Sequence, residues 1–134
     1  MNGSYKELRV WQEAMDLAIE VYDAVKRFPR HERSGLSDQL RRAAVSVPSN
    51  IAEGKGHRSG LEFVRYLHHA RGSLLEIETQ ITLAGRLHYL DREHTEELLR
   101  HTSGVGKGLN ALIRAISPQP NADGLVGERP TTND

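Results

Sequence analysis

The chain has 134 residues, 37% of them hydrophobic, which suits one domain with one core, and its 18 Lys+Arg balance its 18 Asp+Glu. That balance excludes a global field pulling the protein toward polyanions or anionic lipid. Zero cysteines exclude a disulfide framework and thiolate metal ligands, and no apolar run is long enough to span a bilayer, so a cytoplasmic protein without membrane contact is expected.

The charge is nevertheless uneven. Residues 26–71 hold ten Lys/Arg against four Asp/Glu, while 1–25 and 72–134 each carry a net charge of minus three.

Ser4-Tyr5-Lys6-Glu7 has the spacing of a capping box, which predicts a first helix over about 5–27. Trp11, Met15, Ala18, Tyr22 and Val25 alternate steps of four and three and are expected to face the core, with Leu8, Ala14 and Val21 widening the stripe. The helix must stop before Phe28-Pro29, because the residue ahead of a proline is pushed out of helical geometry.

The second helix, expected over 36–53, starts from Ser34 or Ser37; the sequence leaves both caps open. Its core face is Leu40, Ala43, Ala44, Val47 and Ile51. Pro48 removes a backbone N–H inside that pattern and predicts a kink, with Ser46, Ser49 and Asn50 near enough to satisfy the freed groups. Gly54 is placed to end the helix in the left-handed conformation. On the other face Arg42, Ser46, Ser49 and Glu53 form a polar stripe of small hydroxyls between opposite charges, a solvated face or a subunit contact.

Ser59-Gly60-Leu61-Glu62 is a second capping box and opens a third helix over 60–88. Phe63, Leu67, Ala70, Leu74, Ile77, Ile81 and Ala84 make its seam, roughly 40 Å long at about 1.5 Å per residue. Arg71 and Glu78 fall within about 40° of Leu67, inside the apolar sector as read from that residue, and predict contacts to other helices or a neighbouring subunit, Arg41 being a candidate partner for Glu78. Asp91 caps a fourth helix over 92–116, whose apolar face is Leu98, Val105, Leu109, Leu112 and Ile116. Gly104, Gly106 and Gly108 weaken it by up to about 1 kcal/mol each, so a bend or fraying is expected in its middle. From Pro118 the chain is rich in Pro, Gly and polar residues without apolar periodicity, which predicts a disordered tail over 118–134. Four helical patterns joined by short connections over 1–117 predict an all-α, up-down-up-down four-helix bundle.

The segments LRVWQEAMDLA, FPRHERSGLSDQLRRAAVSVPSNIAEG and FVRYLHHARGSLLEIETQITLAGRL resemble the four-helix-bundle proteins encoded in intervening sequences of 23S ribosomal RNA genes. That group is similar in turn to the accessory variability determinant proteins of diversity-generating retroelements. The resemblance implies a homopentameric, barrel-like assembly. For the retroelement branch it further implies binding to nucleic acid, and to a reverse transcriptase or ribonucleoprotein, through a basic surface. Members of that branch are strongly basic, whereas this chain is neutral.

Arg41, Arg42, Lys55, His57, Arg58 and Arg65 lie in the positive segment and are the nucleic-acid candidates, with no aromatic interleaving to stack bases. The interface or structural candidates are Arg42, Ser46, Ser49, Asn50, Glu53, Arg71 and Glu78. His94, Glu97 and His101 share a face of the fourth helix and supply the alternative of a small bundle metal-binding protein or enzyme, although no Glu here has a His three residues later, as a bundle di-iron site needs. Gly104 to Gly108 lacks the first glycine and the closing Ser or Thr of a phosphate loop. The serines sit in caps, in turns or on polar faces, so no nucleophile triad is expected. The expected function is therefore a non-enzymatic, self-associating scaffold or accessory protein, with no cofactor and no small-molecule substrate.

Overall fold

The computed structural model describes residues 3–117; the expected disorder of 118–134 lies outside the described residues. Four helices carry the fold: α1 (Arg9–Ala24), α2 (Leu36–Lys55), α3 (Gly60–Arg86) and α4 (Arg92–Ile116), with no strand among the described residues. Each helix packs on its neighbours in the chain and α1 closes on α4, so α1 and α3 lie on one diagonal and α2 and α4 on the other. Short connections make consecutive helices antiparallel, which gives the expected up-down-up-down bundle. No helix among the described residues is long and apolar enough to cross a membrane.

The core forms where the periodicity of α2 and α3 places it. Leu40, Ala43, Ala44, Val47 and Ile51 are buried on α2, as are Leu67, Ala70, Leu74, Ile77, Ile81 and Ala84 on α3. Leu98, Val105 and Leu109 meet them from α4, while Leu112 and Ile116 are half-buried at its end. Each large side chain removed from water contributes roughly 1.5–3 kcal/mol. That gain outweighs the glycine penalty in α4, which runs unbroken through Gly104, Gly106 and Gly108. At Gly108 the approach to α1 is tight, because a Cβ would stand 3.0 Å from Val10 Cγ2 and that side chain would have to give by a few tenths of an ångström.

On α1 the buried face differs from the expected one. Ala14, Ala18 and Val21, and Val25 just beyond the helix, are buried as expected and are joined by Val10, Leu17 and Ala24, whereas Met15 and Tyr22 are exposed and Trp11 is half-buried. The apolar arc of α1 is wider than a single bundle core covers. The half that looks toward α4 as well as α2 is buried, and the other half is left at the surface.

Caps and turns are decided by local chemistry. Ser4 does not open α1; its hydroxyl accepts from Lys6 N (3.1 Å) and caps a 3₁₀ turn at Tyr5–Glu7, after which α1 begins at Arg9. Neither serine caps α2. Glu32 Oε1 accepts from Leu36 N (2.9 Å) and Oε2 accepts from the Tyr89 hydroxyl (2.9 Å), tying the start of α2 to the α3–α4 connection. Ser59 Oγ caps α3 through Leu61 N and Glu62 N, and Asp91 Oδ1 caps α4 through His94 N (2.7 Å). α2 continues across Pro48 to Lys55.

Gly54 is not left-handed; no described glycine has a positive φ. It is buried in the last turn of α2, where a Cβ would lie 2.7 Å from Tyr66 Cβ and 2.9 Å from Phe63 Cδ1, so it lets α3 approach closely. The left-handed residue is His88, φ 65°, after α3. His88 N donates to Gly85 O and Tyr89 N to Ala84 O, the paired bonds of a Schellman motif.

Replacing His88 by Gly removes the Cβ penalty of the left-handed region and should raise stability by up to about 1 kcal/mol, while His88→Val should lower it. Thermal melts of the two variants check this, and a lower melting temperature for His88→Gly would count against it. The Leu36 N–H, then the Tyr89 hydroxyl and the nearby His31, hold the Glu32 carboxyl below its ordinary range. A carboxyl depressed by folding stabilises above its unfolded value of about 4.5 and loses that contribution as pH falls through the lower folded value. The melting-temperature gap between wild type and Glu32→Gln should therefore be widest near pH 7 and shrink below about pH 4.5; a gap constant down to pH 3 would rule out this role.

Candidate interaction surfaces

The apolar half of α1 that the core leaves uncovered meets an equivalent stripe on α2. Trp11, Met15, Ile19 and Tyr22 on one side, with Val45 and Pro48 on the other, line an open groove of about 530 Å³. Ile19 is 65% exposed, Tyr22 46% and Val45 42%. Ser49 and Ala52 complete the α2 wall, and Tyr5, packed edge-on against Trp11 at 5.3 Å, closes one end. Large exposed side chains scattered singly need no explanation, but this set is contiguous.

The polar stripe of α2 is divided by its neighbours. Ser46 Oγ lies 2.8 Å from Ser73 Oγ of α3 and accepts from Asn50 Nδ2 (3.0 Å), which also donates to Ser46 O (2.8 Å). Ser46 and Asn50 thus pin α2 to α3, whereas Ser49 turns to the α1 groove. Arg42 is exposed, 4.0 Å from Asp38, and Glu53 accepts from the Tyr66 hydroxyl at 3.4 Å.

Arg71 and Glu78 are exposed, contrary to their expected place in the apolar sector. Leu67, the reference point of that sector, stands at one edge of the buried face. The middle of that face lies near Ala70 and Ile81, about 60–100° away from both charges at about 100° per residue. Arg71 Nη1 donates to Asn110 Oδ1 of α4 (2.9 Å). Arg41 reaches Arg33 O (3.3 Å) and Asp38 (3.9 Å) and does not meet Glu78.

The basic candidates fall into two groups. Arg41 and Arg42 sit in the first half of α2, and thirteen residues of helix, roughly 20 Å, separate Arg42 from Lys55. Lys55, His57, Arg58 and Arg65 gather at the α2–α3 corner. The ring missed in the sequence is Tyr66: His57 stacks on it (centroids 5.0 Å apart, planes 19°), the Arg65 guanidinium lies 5.1 Å from its centroid, and His69 meets it edge-on. Its signal was present, since Tyr66 follows Arg65 directly, but only folding brings His57 across the turn. Arg65 is paired with Glu62 at 2.9 Å, which holds it firmly charged. Lys55 and Arg58 have no carboxylate partner among the described residues.

The helix-four set does not converge. His94 Nδ1 is 2.8 Å from Asp91 Oδ1 in the cap, and His101 Nδ1 is 2.5 Å from Glu20 Oε1 on α1, with Glu97 exposed between them. Among the described residues no three His, Cys, Asp or Glu side chains are grouped to hold a metal ion. The metal-binding alternative is therefore not favoured: each histidine is occupied by its own carboxylate.

The model of the 23S rRNA-intervening sequence protein family matches residues 6–111. The chain belongs to that family. A 1.70 Å crystal structure of a protein with unknown function from the S23 ribosomal protein family of Bacteroides thetaiotaomicron is similar to this 23S rRNA-intervening sequence protein, with a TM-score of 0.73 and 24% identity over 78% of this chain and 95% of that one. At that identity the likeness shows the four-helix fold. No curated protein matches.

Proposed function

We propose that this 23S rRNA-intervening sequence protein acts by assembling, as a non-enzymatic scaffold or accessory in a ribonucleoprotein setting. Copies join through the α1–α2 groove, and the arrangement implied by the family resemblance is a homopentamer. The observation that carries this reading is the groove itself. Two helices each spend a second apolar stripe on it, and a monomer gains nothing from leaving Trp11, Met15, Ile19, Tyr22 and Val45 together in water. Ser49 and Ala52 in its wall are small enough to let another helix come close. The purified protein should scatter light as several chains of 15.0 kDa, near five, and Ile19→Glu should return it to one chain with unchanged helicity. A wild type that stays monomeric at micromolar concentration would refute the assembly.

The α2–α3 corner supports a second element of the same reading, a contact with single-stranded nucleic acid. Lys55 and Arg58 offer free cations beside the His57–Tyr66 stack, and an assembly repeats the corner so that several weak contacts act together. Affinity for a short single-stranded RNA should fall linearly with log salt concentration, and Lys55→Ala or Arg58→Ala should each lower that slope by about one per contacted corner. Binding that ignores salt, or none at low salt, would remove this element and leave the assembly standing.

A further inference from the structure

We infer that the turn between α1 and α2 forms a binding pocket for a phosphate monoester, a site separate from the α1–α2 groove and from the α2–α3 corner. The pocket measures about 370 Å³ and is lined by Lys26, Arg30, Arg33 and Arg41, with no carboxylate in its wall. Four of the ten cations of the positive segment 26–71 thus converge on one hollow. α2 is twenty residues long, roughly 30 Å, so this hollow and the corner at Lys55 stand at opposite ends of that helix.

Burial separates a floor from a rim. Val25, Phe28 and Ser37 are buried, whereas Lys26, Arg30 and Arg33 are exposed around the mouth and Arg41 is half-buried. Ser37 is only 4% exposed, yet its hydroxyl has no hydrogen-bond partner among the described residues. Leaving a buried hydroxyl unpaired is unfavourable, and an oxyanion seated in the hollow would accept from it.

Ion pairing and helix ends account for two of the four cations. Lys26 follows α1, whose negative end favours it, and lies 3.9 Å from Asp23; Arg41 lies 3.9 Å from Asp38. Arg30 and Arg33 have no carboxylate partner among the described residues, and they stand just ahead of α2, whose positive end disfavours a cation. The carboxylate between them in sequence, Glu32, is turned to Leu36 N and the Tyr89 hydroxyl. An anion beside Ser37 would offset both disadvantages at once, because it meets the arginines and the start of α2 together. Arg41 is already held against the turn, since its Nη2 donates to Arg33 O (3.3 Å). A monoester carries nearly two charges at neutral pH where a diester carries one, which suits four converging cations. Val25, Phe28 and Pro29 give its organic part an apolar wall.

Calorimetric titration with adenosine 5′-monophosphate tests the pocket, with adenosine as the control. The monophosphate should bind and adenosine should not. Arg30→Ala and Arg33→Ala should each weaken binding about tenfold and Ser37→Ala severalfold, all with unchanged helicity. Arg58→Ala, at the far end of α2, should leave it unaltered. No binding of the monophosphate at millimolar concentration, or equal losses from Arg58→Ala and Arg33→Ala, would overturn the site. Two short RNAs of one sequence, with and without a 5′-phosphate, identify where the monoester comes from. A gain from the 5′-phosphate that disappears in Arg33→Ala assigns it to a chain end, and no gain assigns it to a small molecule. That gain is a difference between two RNAs, so it is read whether or not the α2–α3 corner binds either of them.

Discussion

An α-helix can turn only part of its circumference toward a four-helix core, and α1, α2 and α3 all carry more apolar arc than that part. The core takes Val10, Leu17 and Val21 from α1, Leu40, Val47 and Ile51 from α2, and Leu67, Ile77 and Ile81 from α3. The surplus, Ile19, Val45 and Leu75 among others, stays in water. Everything that distinguishes this bundle from a self-sufficient one follows from that surplus. A helix with one apolar stripe is completed by its own fold; one with two stripes on different sides keeps one of them exposed in the single chain.

How far the sequence could be read depends on this same feature. On α2 and α3 the densest apolar spacing is also the buried one, and Leu40 to Ile51 and Leu67 to Ala84 are legible directly. On α1 two stripes of equal quality run side by side, and the one holding the lone tryptophan is the one that remains at the surface. Periodicity reports that a face is apolar and not what covers it, so Trp11, Met15 and Tyr22 read as core when they line a groove. The misplacement of Arg71 and Glu78 has a related origin: a face has a centre, and an angle taken from Leu67 at its edge shifts every neighbour inward.

Local rules were legible where a side chain serves its own turn, and obscured where the partner is distant in sequence. Ser59 and Asp91 cap the helices they precede, within three residues. The start of α2 is held by Glu32, which reaches forward four residues and also across to Tyr89, so two nearby serines made a plausible but wrong pair of caps. Gly54 shows that the same residue type answers two different needs. It stands where a left-handed terminator would stand, yet its role is to leave room for Phe63 and Tyr66, and the left-handed position falls to His88. The α2–α3 corner is likewise a product of folding, since His57 and Tyr66 are nine residues apart and meet only because the chain reverses between them.

The balance of 18 cations and 18 anions bears on that corner less than it first suggests. A phosphate contact senses charge within about one Debye length, roughly 8–10 Å at physiological ionic strength. Among the described residues the acidic side chains of the flanking segments are carried mainly by α1, the later half of α3 and α4, while Lys55, His57, Arg58 and Arg65 stand at the turn that joins α2 to α3. Neutral overall composition therefore coexists with a local surplus, and self-association would multiply the number of such corners without changing the net charge per chain. The relevant quantity for a polyanion is how many corners it can touch at once, so under the assembly proposed above any affinity for nucleic acid would depend on the number of joined copies before it depends on the fold of one.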